Sequence, residues 1–110
     1  MKIALIQQHA TRDKAANVAR GLAALDTAAR NGAQLACFAE LAFEWFYPQR
    51  PAELNFRELA EPLDGPTVRA FQQKARELGM VVIINLYERE GHNTFDSSPV
   101  IDADGTLLGK

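Results

Sequence analysis

Glu40 is the side chain whose type and position most favour chemistry. It closes a short apolar run at positions 35–39 and precedes an aromatic-rich segment, "LAFEWFYPQ". Aromatic neighbours exclude water from a carboxylate, raise its pKa and make it a usable general base near neutral pH. The same pattern also fits a helix N-terminal charge or a surface ion pair, beside aromatics that close one end of the core. Spacing alone leaves both interpretations open.

The other candidates for chemistry are one cysteine and two histidines. Strand alternation places Cys37 and Glu40 on opposite faces, so we predict that Cys37 is a small buried apolar residue rather than a nucleophile. His9 follows an apolar run and His92 lies in a Gly-His-Asn turn, which favours a solvated position for both. A single cysteine excludes an internal disulfide and a multi-cysteine metal site, and no glycine-rich phosphate loop is present. We therefore predict neither a metal nor a cofactor.

The composition is that of an ordinary globular domain. The 110 residues are 47% hydrophobic and 24% charged, with a formal net charge of -2. This balance gives no electrostatic case for binding nucleic acid or an anionic membrane, because both require clustered Lys and Arg. The first apolar segment, "IALI", is too short for a signal peptide or a membrane span, so we expect a cytoplasmic location.

The elements that must position Glu40 form a strand, a helix and a second strand. Residues 3–6 read as a strand buried on both faces, and a helix capped by Asp13 or Thr11 follows and stops at Asn31-Gly32. Residues 35–38 return to a compact apolar run. A crossover of this length lays the two strands parallel, so Glu40 is expected beyond a C-terminal strand end, where open α/β sheets bind ligands.

The remaining segments predict a long connection, a second helix and three strands. Four prolines fall between positions 48 and 66, which favours an irregular connection with one helical turn around residues 53–59. A helix then starts at Gly65-Pro66 and ends at Gly79. We predict one strand over residues 80–88 and two more over residues 95–101 and 106–108, with an Asp- and Gly-containing turn at 102–105.

Several of these segments together resemble the nitrilase superfamily of carbon-nitrogen hydrolases. The matching features run from residue 2 to residue 110: "KIALIQ", Asn17, "AQLACFAEL", "EPLDGPTVRAFQQKARELGMVVIINLYE" and "FDSSPVIDADGTLLGK". Within the superfamily, "ELAFEWFYPQ" and "INLYE" are most similar to the N-carbamoyl amino acid amidohydrolases.

The resemblance implies an α/β fold, the N-terminal part of a four-layer α-β-β-α sandwich of the nitrilase type. It also implies a Glu-Lys-Cys triad in which Glu40 is the general base, and a pocket wall that includes Phe46 and Tyr47. The implied substrate is a small amide or carbamoyl compound, hydrolysed without a cofactor. Relatives commonly pair through their outer layers, so a homo-oligomer is expected.

The resemblance also implies that the triad is incomplete within these residues. Lys110 matches a noncatalytic lysine of the family, and the catalytic lysine and cysteine are expected beyond it. Residues 1–110 therefore read as the N-terminal portion of a single domain that is incomplete at its C-terminus, inactive alone and poorly folded alone. The alternative is a noncatalytic α/β interaction module or an inactive remnant of the same fold.

Two positions depart from the family pattern. Ala39 stands where relatives usually have proline, which loosens the turn before Glu40. Asp96 stands where relatives commonly have asparagine, so an acceptor replaces a hydrogen-bond donor and the local network must differ.

Overall fold

The computed structural model describes residues 1–51 and 56–110. Its elements, in chain order, are β1 (Ile3–Ile6), α1 (Lys14–Arg30), β2 (Leu35–Phe38), α2 (Pro66–Leu78), β3 (Val81–Ile83), β4 (Leu86–Glu90), β5 (Asn93–Ser97), β6 (Val100–Ile101) and β7 (Leu107–Gly109). Two short 3-10 turns, Tyr47–Gln49 and Phe56–Leu59, lie in the connection between β2 and α2.

Five strands form one mixed sheet in the order β1-β2-β3-β6-β7. The first three run parallel, as the strand-helix-strand reading predicted, whereas β6 and β7 add in antiparallel orientation. Strands β4 and β5 form a separate antiparallel hairpin. The C-terminal ends of β1, β2 and β3 therefore lie at one edge, the usual position of a ligand site in an open α/β sheet.

The predicted helix ends are confirmed. The Asp13 side chain accepts a 3.0 Å hydrogen bond from the backbone N–H of Ala16 and so caps α1. Helix α2 begins at Pro66 and is capped at its C-terminus by Gly79, whose φ of 60° is a left-handed conformation that glycine adopts without a Cβ penalty.

The core lies between the sheet and the two helices. Phe38 of β2, Phe71 of α2 and Phe43 of the following turn form an aromatic triangle with centroids 4.8–5.4 Å apart. Leu25 of α1 and Val82 of β3 are fully buried around it. This packing joins the turn after β2 to the core, which fixes the chain on both sides of Glu40.

Two strand predictions are wrong because buried polar groups and a proline interrupt the runs. The predicted strand over residues 80–88 divides into β3 and β4 around Asn85, whose side chain bonds to other segments. The predicted strand over residues 95–101 divides at Ser98-Pro99, where proline has no N–H to donate. The helical turn predicted around residues 53–59 is present at Phe56–Leu59, and its first three positions lie outside the described residues.

The prediction that β1 is buried on both faces is also wrong. Ala4 and Ile6 pack against the core, whereas Ile3 is 51% and Leu5 is 82% exposed. Both helices lie on the opposite side of the sheet, so nothing in residues 1–51 and 56–110 covers Leu5. In the described part of the chain, no helix is long and apolar enough to cross a membrane.

Candidate active site

Glu40 lies in a tight turn directly after β2, at the C-terminal edge of the parallel strands. The next residue, Leu41, has a φ of 48°, an uncommon conformation for a residue with a side chain. A hydrogen bond from the Glu44 N–H to the Leu41 carbonyl closes the turn. Among the described residues, Glu40 does not begin a helix and forms no ion pair, so neither of the two alternative interpretations of this residue holds.

The Asn85 side chain holds this turn. Its Oδ1 accepts a 2.6 Å hydrogen bond from the Leu41 N–H, and its Nδ2 donates to Asp96 Oδ1 at 2.6 Å and to Ser98 Oγ at 3.1 Å. Asn85 is only 9% exposed, so these bonds form in a setting largely free of competing water. One amide thus joins the Glu40 turn to the β4–β5 hairpin.

Asp96 lies beside Glu40 as a consequence of this arrangement. The pKa of Glu40 is raised, first by a side-chain hydrogen bond with Asp96, then by the negative charge of Asp96, and last by partial desolvation. The sequence reading attributed a raised pKa to aromatic neighbours, whereas the second carboxylate is the larger cause here. Asp96 therefore lies beside Glu40 and is the main cause of its raised pKa.

Glu40 opens into a cleft of about 310 Å³. The cleft is lined by residues from the segment after β1 and from the Glu40 turn, among them Gln8, His9, Glu44, Phe46 and Gln49. Phe46 is 45% exposed and borders the same space as Glu40. His9 lines this cleft as well and, like His92, has a largely exposed side chain.

Tyr47 lies in an aromatic cluster beside this cleft rather than among its lining residues. Its ring is 6.4 Å from Trp45, 4.9 Å from Phe56 and 5.4 Å from Tyr87, measured between centroids. Burial, followed by the neighbouring Tyr87 and then by the charges of nearby carboxylates, raises the pKa of Tyr47 to about 12. The phenol is therefore neutral at physiological pH and can only donate or accept hydrogen bonds there.

A partly buried ion cluster supports the far side of the turn. Lys14 of α1 lies 2.5 Å from Glu44 Oε1 and 3.0 Å from Glu61 Oε1. Burial raises the pKa of Glu44, the charge and hydrogen bond of Lys14 lower it, and Glu61 adds a further upward contribution. Sequence reasoning missed this cluster because its members are 17 or more positions apart.

Gln8 and Asn17 complete the support. Gln8 Nε2 donates to the carbonyls of Asn17 and Ala42, and Asn17 Nδ2 donates to the carbonyls of Thr11 and Phe43. Asn17 is fully buried. These amides bind the segment after β1 to the turn after β2. In the sequence, the one signal of this role is an asparagine on an otherwise apolar helix face.

Two residues weighed from the sequence lie away from the Glu40 cleft. Cys37 is partly exposed on the outer face of the sheet, in register with Leu5 and Ile83. Lys110 Nζ lies 2.5 Å from Glu88, a carboxylate only 2% exposed. Burial raises the pKa of Glu88, but the hydrogen bonds from Lys110 and Ser97 outweigh burial and lower it. Among the described residues, no group of three or more His, Cys, Asp or Glu side chains could hold a metal ion.

Comparison with known proteins identifies the family. A sequence model described as carbon-nitrogen hydrolase matches residues 2–110. The chain belongs to the carbon-nitrogen hydrolase family. The match spans almost the whole chain, so every element that positions Glu40 lies within the family region, and the resemblance to the nitrilase superfamily is confirmed.

Two relatives and one solved structure illustrate the likeness. An N-carbamoylputrescine amidase from Solanum lycopersicum is 34% identical over 108 residues, which cover 97% of this chain and 36% of that protein. A citrullinase from Francisella tularensis is 28% identical over 110 residues, which cover 99% of this chain and 38% of that protein. The crystal structure of a carbon-nitrogen hydrolase from Helicobacter pylori G27 superimposes with a TM-score of 0.89 at 20% identity, over 99% of this chain and 38% of that one.

The chain therefore spans well under half the length of these family members. Its mixed sheet and two helices correspond to the N-terminal part of the nitrilase-type α/β fold, as predicted.

Proposed function

We propose that this chain is the N-terminal portion of a single carbon-nitrogen hydrolase domain that acts on an N-carbamoyl compound or a small linear amide, with Glu40 as its general base. The observation that carries the proposal is a carboxylate of raised pKa, at the C-terminal edge of parallel strands, facing an open cleft. The names of the relatives, an N-carbamoylputrescine amidase and a citrullinase, support the substrate class.

The proposed chemistry is covalent hydrolysis. Glu40 removes the proton from a cysteine thiol, the thiolate attacks the carbonyl carbon, and a lysine stabilises the negative oxygen that forms. The nitrogen leaves with a proton, and water then hydrolyses the thioester. The lysine and cysteine are those that the family resemblance expects after Lys110, so the 110 residues alone are proposed to be inactive.

Phe46 and Tyr47 are proposed to wall the substrate pocket. Phe46 supports this role because it borders the Glu40 cleft. Tyr47 would act one layer behind, by packing against the loop that carries Phe46. Pairing of two copies and a cytoplasmic location remain part of the proposal.

The test uses the protein encoded by the open reading frame that contains these 110 residues, here termed the full gene product. It is assayed against carbamoyl amines, carbamoyl amino acids, aliphatic amides and nitriles. The proposal expects turnover of a carbamoyl compound or amide, and a loss of at least about a hundredfold for Glu40→Gln, since a general base contributes about that much or more. Glu58→Gln, at an exposed position, is the matched control and keeps full activity.

One observation favours a second candidate, a noncatalytic interaction module. The outer sheet face is apolar and exposed in the described residues, as expected for a surface that binds another protein layer. A full gene product that hydrolyses none of these substrates, and that pairs through this face, would favour the module. Retention of full turnover by Glu40→Gln would instead refute the proposed mechanism.

A further inference from the structure

Two carboxylates of different chain segments meet at the proposed active site. Glu40 follows β2 and Asp96 belongs to β5, 56 positions later, yet the Asn85 side chain joins the two segments through hydrogen bonds with Asp96 and with the Leu41 N–H. No ion pair among the described residues neutralises either Glu40 or Asp96.

Asn85 fixes the position of Asp96. Its Nδ2 donates to Asp96 Oδ1 at 2.6 Å while its Oδ1 accepts from the Leu41 N–H at 2.6 Å. Asp96 is thus anchored to the backbone of Leu41, the residue that follows Glu40, and both carboxylates are exposed beside this link. This geometry depends on the short link through Asn85 and is independent of any titration behaviour.

Other ionisable groups face the same region. His9 lies after β1, Glu44 in the turn itself, Tyr47 in the first 3-10 turn and Tyr87 on β4. Glu44 is paired with Lys14, and the Tyr47 phenol is neutral at physiological pH because its pKa is about 12. Asp96 is the acidic group that the Asn85 amide holds beside the Glu40 turn.

We propose that Asp96, anchored by Asn85, is a positioning residue that makes Glu40 a stronger base by accepting a hydrogen bond from its protonated form. This inference rests on the proposed function. When the thiol S–H bond breaks, a new O–H bond forms on Glu40, and that O–H donates to the Asp96 carboxylate. The proton-transfer product is stabilised, whereas the ionised pair before transfer is destabilised by like charge.

The first test compares Asp96→Asn with the native full gene product across pH. Asparagine keeps the shape of aspartate but removes its charge and can donate to the Glu40 carboxylate. The acidic limb of the kcat/KM profile is expected to move to lower pH, and kcat/KM on the plateau to fall about tenfold, a part of the general-base contribution. Asp64→Asn, whose side chain is 83% exposed, is the matched control and moves neither quantity.

The second test needs neither turnover nor a variant. Side-chain carboxyl carbons of Glu40 and Asp96 are labelled with 13C and titrated by NMR in the native full gene product. The proposal expects both carbons to report the same two pH steps, because coupled groups titrate as a pair. A single independent step for Glu40, or an acidic limb unmoved by Asp96→Asn, would overturn it.

The two tests separate this inference from the proposed function. If Glu40→Gln keeps full turnover, the proposed function fails, and the NMR titration still decides whether the carboxylates are coupled. If Glu40→Gln is inactive while Asp96→Asn has an unchanged pH profile, only the role of Asp96 fails.

Discussion

The two faces of the five-stranded sheet are built from the same kinds of residue but lie in different surroundings. On the inner face, Ala36, Val82 and Ile101 are fully buried beneath α1 and α2. On the outer face, Leu5 is 82% exposed, and Cys37, next to it in register, is partly exposed. Apolar alternation alone does not distinguish the two faces.

The apolar residues of the outer face form one continuous surface across the strands. Strand register places its residues in two rows, Ile3, Leu35 and Val81 in one and Leu5, Cys37, Ile83 and Val100 in the other. Large exposed apolar patches on proteins mark surfaces that bind another layer or partner. In a four-layer sandwich, a second sheet packs face to face against such a surface. The N-terminal part of such a fold, taken alone, leaves this sheet face exposed.

The largest expected effect is on the inner face. Phe71→Ala removes the ring that contacts both Phe38 and Phe43, and Phe71 is fully buried. We expect a loss of about 3–5 kcal/mol in the free energy of unfolding, because a cavity adds to the lost burial. Urea unfolding of the full gene product measures it. Phe95→Ala, at a ring that is 42% exposed, is the control and should cost clearly less.

Leu5→Ala distinguishes a covered outer face from a bare one. If a second layer packs on this face in the full gene product, the substitution should cost about 2–4 kcal/mol, as for other buried leucines. The same urea experiment measures it. A loss of about 0.5 kcal/mol or less would show that Leu5 remains in water and would contradict a four-layer sandwich in this protein.

Local signals in the sequence were enough to place the helices. Asp13 and Gly79 act on their own helix ends, through a capping bond and a left-handed φ, so neighbouring residues determine them. The division of the β3–β4 run at Asn85 depends on a bond to Leu41, 44 positions away, and could not be read from the apolar run. The exposure of β1 was missed for a similar reason, because a strand facing a second sheet has the same sequence as a buried one.

The candidate site shows the same limit. Glu40 was identified from its place after an apolar run and from the family resemblance. Its partner Asp96 was noticed only as a departure from a pattern, since nothing local indicates that β5 returns to the β2 turn. The lesson is that type and position identify the acid or base, whereas the groups that set its strength come from contacts distant in sequence.

Lys14→Met tests the ion cluster of Lys14, Glu44 and Glu61 on the helix-covered side of the sheet. The substitution leaves Glu44, which is 4% exposed, and Glu61 without their shared cation. We expect a loss of about 2 kcal/mol at neutral pH, below the value for a fully buried pair because Lys14 is itself partly exposed. The matched control is Lys74→Met, whose partners Asp26 and Glu77 are 38% and 47% exposed, so its loss should be about 1 kcal/mol or less.

The pH dependence of that variant has a definite sign. The pKa of Glu44 is raised in the folded protein, mainly by burial, so the folded state holds its proton more tightly than the unfolded state does. The stabilisation is complete below the ordinary pKa and is lost as pH rises through the folded value. Lys14 opposes this shift, so its removal should make stability fall further across that window. Urea unfolding at several pH values measures the slope, and equal slopes in variant and native protein would contradict this account.

The smallest expected effect is at Cys37, the only thiol of the chain. Cys37 lies on the outer face between Leu5 and Ile83, and its Sγ is 3.6 Å from the Phe38 carbonyl, whereas Glu40 lies beyond the strand end. Cys37→Ala should therefore leave kcat and KM of the full gene product unchanged and cost about 1 kcal/mol or less, since only one small group is removed. A variant that unfolds normally but loses turnover would make Cys37 the nucleophile. In that event the outer face, rather than the edge that carries Glu40, would have to contain the reacting carbon.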